Sequence, residues 1–339
     1  MPPKVTSQDV ARAAGVSQPT VSRVFTPGVK VSAVLEEKVR EAARDLGYRP
    51  NTLARSLITG QSMTIGLIVA YLDNPFYTEA LERLSRTLKE RGYNIMIFMA
   101  ANHASDVDGV VHDLLDHQVD GIILASVSAS SALTERLLEE GVPLILFNRG
   151  HSDCSISSVT SANYKGGRKV AEFLIAGGHS RIAHISGWQG ASTGHDRCKG
   201  FTEVLHEQQI SPHAIVDGLF SREAAAAATR GLFAGPTAPD AIFVGNDHMA
   251  FAVIETLQSE LGISVGTDVS IVGYDDVAMA AWPSFELTTV RQPANRMVEA
   301  VVEQLIAQIE GKERTAQQIE IDGPLILRRS ARIPKGWTE

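Results

Sequence analysis

The sequence predicts an α/β protein in which a small all-α N-terminal domain precedes a body of two doubly wound parallel sheets. Residues 1–60 carry only helical patterns, with a glycine turn between two short segments. From Thr64 onwards, uniformly apolar segments of strand length alternate with amphipathic helical segments, and the alternation starts again after about residue 160. Such alternation is typical of parallel sheets covered by helices on both faces.

The N-terminal pattern is that of a helix-turn-helix. Thr6 and Asp9 have the spacing of a capping box at a helix start, Gly15 makes the turn, and Ser17 is expected to cap the second helix. The apolar positions expected to pack the two helices together are Val10, Ala11, Ala14, Val21 and Val24. Because this unit places its second helix in the DNA major groove, the pattern predicts a DNA-binding protein.

The distribution of charge agrees with that prediction. The whole chain has a formal net charge of -8, but residues 1–60 hold nine basic and five acidic side chains, a net charge of +4. The remainder therefore carries -12. A basic module on an acidic body suits attraction to phosphates at one end only. Nine positive charges give moderate attraction, so we expect tight binding to need two copies of the chain.

The body is expected to form two lobes that face each other across a cleft. Its predicted strands are 64–70, 94–99, 121–124, 143–147, 181–186, 213–217, 241–244 and 269–274. Its predicted helices are 76–91, 105–118, 131–140, 163–176, 197–209, 222–233 and 248–261. Ligands of such sheets bind beyond the carboxyl ends of the strands. Those ends are rich in polar and aromatic side chains, as a ligand cleft requires, at 71–76, 125–128, 147–149, 186–193, 245–247 and 274–276.

A short segment, 51–58, joins the two parts. It follows a proline, has Asn51 as a plausible helix cap, and is too short to be a stable helix alone in water. We therefore expect it to order only when something packs on it, which makes it a candidate coupling element. The predicted limits are 1–50 for the helix-turn-helix domain, 51–60 for the hinge and linker, and 61–339 for the body. Within the body, the N-lobe takes about 61–161 plus 291–322, and the C-lobe takes about 162–290 plus 323–339.

Other classes of protein fit the sequence poorly. No apolar run approaches the length of a membrane span, and the N-terminus lacks the apolar stretch of a signal peptide, so we expect a cytoplasmic protein without membrane contact. Nucleotide-binding glycine loops and nucleophile elbows are missing, which predicts no catalytic residues and no cofactor. Cys154 and Cys198 cannot build a disulfide framework, and His112 and His117 lie five residues apart, on different helix faces, so no metal site is expected.

Taken together, these residues resemble the LacI family of bacterial transcription regulators over essentially the whole chain. The matching motifs include Gly15-Val-Ser17, Thr20-Val-Ser-Arg23, Leu46-Gly-Tyr-Arg-Pro-Asn51, Ala54-Arg-Ser-Leu57, Asn74-Pro-Phe76, Arg197-Cys-Lys-Gly-Phe201, Asn246-Asp247, Gly273-Tyr-Asp-Asp276 and Leu287-Thr-Thr-Val-Arg-Gln-Pro293. The resemblance implies a body like that of periplasmic binding proteins. It also implies a homodimer that binds a partly palindromic double-stranded operator, and the lack of leucine heptads after residue 329 favours a dimer over a tetramer.

The resemblance also implies which residues touch DNA. Gln18, Pro19 and Arg23 occupy the positions that face base edges in the family, where arginine suits guanine and glutamine suits adenine. Proline offers only shape or a contact to a thymine methyl. Phosphates are expected to be bound by the hydroxyl groups of Ser17, Thr20 and Ser22. The hinge residues Asn51, Ala54, Arg55 and Leu57 are expected at the minor groove, where Leu57 would kink the duplex as an apolar wedge.

In the cleft, the resemblance implies a small-molecule effector that controls a repressor. The expected effector-binding residues are Phe76, Asn148, Arg149, Thr193, Arg197, Phe220, Asn246, Asp247 and Asp275. Arg197 with Asp275 suits vicinal hydroxyls or a carboxylate, although a purely structural ion pair is the alternative. A helix cap is the alternative role for Asn246 and Asp247. A sugar or sugar acid is the favoured effector, and a nucleobase or nucleoside is the alternative. Ligand transport and enzyme catalysis are the competing functions. The helix-turn-helix and the missing signal peptide argue against transport, and the missing catalytic and nucleotide-binding motifs argue against an enzyme.

Overall fold

The structure is a computed structural model, and it describes residues 5–25, 29–49, 60–100, 104–127, 131–150, 156–312 and 315–337. It divides into two compact units, residues 1–62 and residues 63–339. The first unit holds helices α1 (Ser7–Ala14), α2 (Gln18–Val24) and α3 (Ala33–Asp45). The second unit contains both sheets. The predicted fold class is confirmed.

The first unit is built as its sequence predicts, with one exception. The backbone N–H of Asp9 donates to Thr6 Oγ1 over 3.4 Å, and the Thr6 N–H donates to the Asp9 carboxylate over 3.0 Å, which completes the capping box. Gly15 adopts φ 60°, the left-handed conformation that glycine tolerates best. Ser17 occupies the N-cap position of α2, but its side chain makes no capping hydrogen bond; its Oγ lies 2.9 Å from Oγ1 of Thr20 instead.

The core of this unit is small and apolar. The buried residues that form it are Val10, Ala11, Ala14, Val21, Val24, Val39 and Ala43. Phe25 and Tyr48 pack beside it with their ring centroids 5.9 Å apart. The third helix contributes Val39 and Ala43 to this core, so α3 holds α1 and α2 in place and leaves the opposite face of α2 free.

The first sheet of the body has six strands, all parallel, in the order β11-β5-β4-β3-β1-β2. Its strands are β1 (Thr64–Val69), β2 (Asn94–Met99), β3 (Gly121–Ala125), β4 (Leu144–Phe147), β5 (Ser157–Ser161) and β11 (Gln318–Ile321). Its helices are α4 (Pro75–Glu90), α5 (Ala104–Asp116), α6 (Ser131–Glu140) and α11 (Ala294–Ile309). The strand order reverses between β1 and β3, which creates a crevice at their carboxyl ends.

The second sheet repeats this order as β12-β10-β9-β8-β6-β7, with only β12 antiparallel. Its strands are β6 (Ile182–Ser186), β7 (Ala214–Asp217), β8 (Ala241–Val244), β9 (Ser270–Asp275), β10 (Thr288–Arg291) and β12 (Leu325–Ile326). Its helices are α7 (Asn163–Ala176), α8 (Ser192–Glu207), α9 (Arg222–Phe233) and α10 (Asp247–Glu255), the last continued by a π-helical turn over Thr256–Glu260. The crevice of this sheet lies between β6 and β8.

The chain passes between the sheets after β5, after β10 and after β11. We name the parts built on the two sheets the N-lobe and the C-lobe. The helix α11 returns to the N-lobe and packs on α4, β4 and β5. The numerical limits that we gave to the domains and lobes stay a prediction.

The C-lobe core contains an unusual polar residue, His184, at the centre of β6. Its ring is fully buried and stacks on Phe243 at a centroid distance of 4.5 Å, with an interplanar angle of 10°. Its Nδ1 lies 2.8 Å from the carbonyl oxygen of Phe243, while Nε2 has no partner among the described residues. Burial lowers the pKa of His184 to about 4, because the charged imidazolium would lose its hydration.

We expect His184 to make the body less stable in mild acid. The unfolded chain binds a proton at this site near the ordinary pKa of 6.5, whereas the folded chain resists it down to about 4. Stability is therefore lost as the pH falls through this interval, by up to about 3 kcal/mol. His184→Phe removes this dependence. Urea unfolding followed by tryptophan fluorescence measures it, because all three tryptophans lie in the body.

The matched control for this experiment is His206→Phe, since His206 is exposed on α8. This variant should keep the wild-type slope of unfolding free energy against pH. An unchanged slope in His184→Phe would contradict the assignment.

Candidate functional site

The first candidate surface is the exposed face of α2. Val21 and Val24 point into the core of the first unit, so the other side of this short helix faces solvent. The exposed residues on that side include Gln18, Pro19, Ser22 and Arg23, and Thr20 is half-buried. The structure therefore brings the predicted base-contacting residues onto one solvent-facing helix surface. Pro19 fits there because it lies in the first helical turn, where an N–H is not needed.

Two hydrogen bonds order the start of this helix. Gln18 Nε2 donates to Ser7 Oγ over 3.2 Å, which ties the side chain to α1. The hydroxyls of Ser17 and Thr20 bond to each other, and Ser17 remains exposed. The predicted hinge residues Asn51, Ala54, Arg55 and Leu57 lie outside the residues that the structure describes. All of these assignments to DNA stay predictions.

The second candidate site lies between the two lobes, where the carboxyl ends of their strands face each other. We call it the inner cavity. Its volume is about 10 Å³, room for about one water molecule. It is lined by Tyr71, Asn74, Tyr77, Asn148, Arg149, Thr193, Arg197, Phe220, Asn246, Asp275 and Gln292. The lobes are therefore closed upon each other, and the lining is polar with three aromatic rings.

Arg197 is positioned by the close packing of α7 on α8. A Cβ atom on Gly167 would lie 2.1 Å from the Arg197 carbonyl oxygen, and one on Gly200 would lie 2.0 Å from that of Tyr164. Only glycine permits this approach. The Arg197 guanidinium then stacks 3.6 Å from the centroid of the Tyr274 ring.

The charge of Arg197 is satisfied by neighbours from three further elements. Its Nε donates to Asn163 Oδ1 over 2.8 Å, and Nη1 donates to the carbonyl oxygen of Gly245 over 2.6 Å. Nη1 also lies 3.7 Å from Oδ1 of Asp275, at the end of β9. Both side chains are at most 3% exposed. This is a buried ion pair at the floor of the inner cavity.

Asp275 also receives hydrogen bonds from two amides. Gln292 Nε2 donates to Asp275 Oδ1 over 2.6 Å, and Asn74 Nδ2, from the N-lobe, donates to Oδ2 over 3.4 Å. Burial raises the pKa of Asp275, while the positive charge of Arg197 and these hydrogen bonds oppose the rise. Asp275 therefore connects the two lobes directly.

Arg149 is the second buried cation of the cavity. Its Nη1 donates to Thr193 Oγ1 of the C-lobe over 2.9 Å and to the Asn148 carbonyl over 3.2 Å. Its Nη2 donates to the Ser126 carbonyl over 3.1 Å. The side chain is 2% exposed, yet none of the described residues supplies it with a carboxylate partner. An unpaired guanidinium in a buried site favours an anionic ligand.

Strained backbone holds several of these side chains. Asn148, Ser126, Phe220 and Asp275 have φ values of 56°, 61°, 55° and 131°, a region that non-glycine residues rarely adopt. All four lie at or near the strand ends that face the cleft. Backbone strain of this kind persists only where the surrounding structure holds it in place, and it clusters at binding sites.

Two predicted residues lie elsewhere. Phe76 is buried in the N-lobe core, stacked on Phe147 with centroids 6.2 Å apart. Asp247 is fully buried under β9 and β10, accepting from Thr289 Oγ1 over 2.6 Å and from the Val277 N–H over 3.1 Å. Burial raises the pKa of Asp247, and the charge of Asp275 adds to the rise. Neither side chain lines the inner cavity. Asp247 instead bonds to the backbone of Val277, two residues after Asp275.

The other seven predicted residues do line the inner cavity: Asn148, Arg149, Thr193, Arg197, Phe220, Asn246 and Asp275. Asn246 also caps α10, since its Oδ1 accepts from the Met249 N–H over 2.9 Å. Tyr71, Asn74, Tyr77 and Gln292 also line the cavity but were not among the expected effector-binding residues, although Tyr71 and Asn74 belong to the strand-end segment 71–76 that was expected to face the cleft. Tyr71 and Asn74 stand directly after β1, which is the signal that points to them. Gln292 follows β10, a strand that the sequence analysis did not identify.

Neither a metal site nor a membrane span is found in the part of the chain that the structure describes. In those residues, no group of three metal-binding side chains comes together. No described helix is long and apolar enough to cross a bilayer.

We expect the Arg197–Asp275 pair to be required for folding of the body. Arg197→Ala leaves the Asp275 carboxylate buried without its cation and should lower the free energy of unfolding by about 3–5 kcal/mol. Arg230→Ala, which breaks the exposed pair with Glu260, should cost at most about 1 kcal/mol. Urea unfolding by tryptophan fluorescence compares the two. Equal losses in both variants would show that Arg197 has no special role.

Comparison with known proteins identifies the family. The model of bacterial regulatory proteins of the lacI family matches residues 6–51, and that of a periplasmic binding protein-like domain matches residues 171–331. The HTH-type transcriptional repressor PurR of Photobacterium profundum is 30% identical, covering 96% of this chain and 98% of its own. The ribose operon repressor of Escherichia coli is 32% identical over 96% of this chain and 99% of its own.

A solved structure agrees over nearly the same length. The lac repressor dimer bound to operator and the anti-inducer ONPF matches with a TM-score of 0.87 at 28% identity, covering 97% of this chain and 99% of that one. The matched segment 6–51 contains α1, α2 and α3, and the matched segment 171–331 contains most of the C-lobe. The chain therefore belongs to the LacI family of bacterial regulatory proteins, and it is a DNA-binding transcriptional regulator with an effector-binding body.

Proposed function

We propose that this regulator is a repressor whose affinity for its operator is controlled by a sugar or sugar acid bound in the inner cavity. The observation that carries the proposal is the set of unsatisfied polar groups on the lining. Asn148 Oδ1 and Gln292 Oε1 are buried acceptors without a hydrogen-bond donor among the described residues. Arg149 is a buried cation without a carboxylate partner there. Hydroxyl groups supply the missing donors, and a carboxylate supplies the missing charge.

The rest of the lining fits a sugar ring. Phe220, Tyr71 and Tyr77 offer apolar faces for the C–H groups of a ring, and Asn246 adds a further amide. Arg197 and Asp275 present donors and an acceptor side by side, which suits vicinal hydroxyls. The same aromatic residues support the alternative effector, a nucleobase or nucleoside, which would stack on them. Unlike the nucleobase, the sugar acid also accounts for Arg149.

Binding at this site is proposed to act by changing the contact between the lobes. The hydrogen bonds that cross the cleft include those from Arg149 to Thr193, from Asn74 to Asp275, and from the Gly150 N–H to Ser192 Oγ over 2.8 Å. A cavity of about 10 Å³ cannot admit a ring until these bonds are exchanged for bonds to the ligand. Ligand binding and lobe arrangement are therefore coupled, and the ligand shifts the equilibrium by its differential affinity.

The remaining parts of the proposal follow from the family. Two chains pair as a homodimer, as in the lac repressor dimer, so that two copies of α2 contact two half-sites of the operator. Base contacts come from Gln18, Pro19 and Arg23, and phosphate contacts from Ser17, Thr20 and Ser22. The segment 51–58 is proposed to carry the change in the lobes to the DNA through Asn51, Ala54, Arg55 and Leu57. The protein works in the cytoplasm and catalyses no reaction.

We expect a sugar acid to stabilise the full-length protein. The probes are glucose, galactose and ribose, the acids gluconate, glucuronate and galacturonate, and the bases adenine, guanine and hypoxanthine. At about one hundred times its dissociation constant, a ligand adds roughly 2.7 kcal/mol, which thermal unfolding detects as a shift of several degrees. Arg149→Met should abolish the shift by an acid. Arg329→Met is the control, because that side chain is 85% exposed.

Stabilisation by neutral sugars alone would still support a sugar site, but it would contradict the role proposed for Arg149. Stabilisation by the bases alone would favour the alternative effector. Any multiple-turnover conversion of a bound probe would contradict the proposal that the protein is not an enzyme.

We expect Arg23→Ala to weaken binding to an operator selected from a randomised DNA library by about 1–3 kcal/mol and to relax its sequence preference. A bidentate contact to guanine is lost, while phosphate contacts remain. Fluorescence anisotropy measures affinity for the selected and for random DNA. Arg136→Ala, which changes an exposed arginine of the body, should leave both affinities unchanged. If Arg23→Ala weakened both affinities equally, Arg23 would be a phosphate contact instead.

A further inference from the structure

A second, larger cavity opens at the mouth of the cleft, and we call it the outer cavity. Its volume is about 620 Å³, within the range of small-molecule sites. It is lined by Tyr71, Asp73, Trp188, Leu219, Phe220, Ser221, Arg222, Glu223 and His248. Tyr71 and Phe220 also line the inner cavity, so the two cavities are adjoining parts of one cleft. Trp188 lies in the strand-end segment 186–193 that was expected to face the cleft, and Leu219 and His248 had no expected role.

The aromatic wall of the outer cavity is a built feature. A Cβ on Gly190 would lie 2.4 Å from the Trp188 ring, and a Cβ on Gly187 would lie 2.1 Å from the Phe220 ring. Both rings therefore rest on glycine backbone, and a side chain at either glycine would displace the ring that lies on it. Leu219 and Phe220 have left-handed φ values of 53° and 55°, a costly conformation for apolar residues. The strained backbone at Leu219 and Phe220 thus places their side chains at the mouth of the cleft.

The same wall is exposed to solvent. Trp188 is 37% exposed and Leu219 is 56% exposed, although both are large and apolar. A cluster of apolar side chains that is rimmed by polar ones marks a binding surface. An indole face suits a ring whose C–H groups form an apolar side.

The polar rim suits a neutral, hydroxyl-rich partner. Asp73 from the N-lobe lies 3.5 Å from Nε2 of His248 in the C-lobe, and the Ser221 hydroxyl donates to Glu223 over 2.8 Å. Arg222 is already paired with Glu255 over 2.6 Å, so its charge is compensated. The remaining carboxylate oxygens of Asp73 and Glu223 are acceptors for hydroxyl groups. An anion would be repelled by both carboxylates.

We propose that the outer cavity binds a second, neutral sugar ring of the effector, stacked on Trp188, while the first ring lies in the inner cavity. The effector is then a disaccharide or a similar glycoside. This inference rests on the proposed function, because it needs a sugar in the inner cavity. It follows from the volume, the shared residues Tyr71 and Phe220, and the placement of Trp188.

The test compares matched sugars on the full-length protein by isothermal titration calorimetry. The probes are glucose with cellobiose, galactose with lactose, and gluconate with cellobionate. We expect one disaccharide to bind about tenfold more tightly than its single-ring counterpart. Trp188→Ala should remove that gain and leave the affinity for the single ring unchanged within about twofold. Trp188→Phe should retain part of the gain, because an aromatic face remains.

The matched control is Trp282→Ala, since Trp282 is 51% exposed and lines neither cavity. It should leave both affinities unchanged. The inference would be overturned if disaccharides bound no more tightly than their single-unit counterparts. It would also be overturned if Trp188→Ala weakened the binding of the single unit and of the disaccharide equally. Neither result would contradict a sugar site in the inner cavity. If neither these six probes nor ribose, glucuronate and galacturonate bind the wild-type protein, the sugar assignment of the proposed function fails, and this inference fails with it.

Discussion

The buried charges at the carboxyl ends of the C-lobe strands are the constraint on which the cleft depends. Arg197 and Asp275 are almost completely inaccessible to solvent. Buried charges are tolerated only when neighbours compensate them. Here the neighbours come from α7, β8, β10 and the N-lobe, so one ion pair fixes the mutual position of elements that are far apart in sequence.

The hydrogen bonds that hold the lobes together are made by groups that line or border the proposed ligand site. Arg149, Asn74 and Gly150 bond directly across the cleft to C-lobe groups that a ligand would also use. If a ligand bonds to these same groups, the lobe arrangement and ligand occupancy cannot vary independently. A regulator of the LacI family needs such a coupling, since its DNA-binding helices lie in a separate compact unit.

Local patterns were sufficient to predict the helix-turn-helix and most of the apolar strands. The return segments were not predicted: β5 is rich in serine and threonine, and β10 to β12 are short. Helix α8 begins at Ser192, five residues before the predicted start, which places Thr193 in its first turn. The site was predicted where a residue follows an apolar strand, as for Asn148 and Asn246. Gln292 and Tyr77 were missed because their contacts depend on how distant segments meet, which no local pattern encodes.

In our proposal, the cleft and the DNA-binding helices are thermodynamically coupled. The most direct test is a complete linkage cycle on the full-length protein, with a probe sugar or sugar acid that stabilises it and a selected operator. Operator affinity is measured with and without saturating ligand, and ligand affinity is measured with and without operator. We expect both affinities to change by the same factor, about fivefold or more. An operator affinity that is identical with and without bound ligand would contradict it.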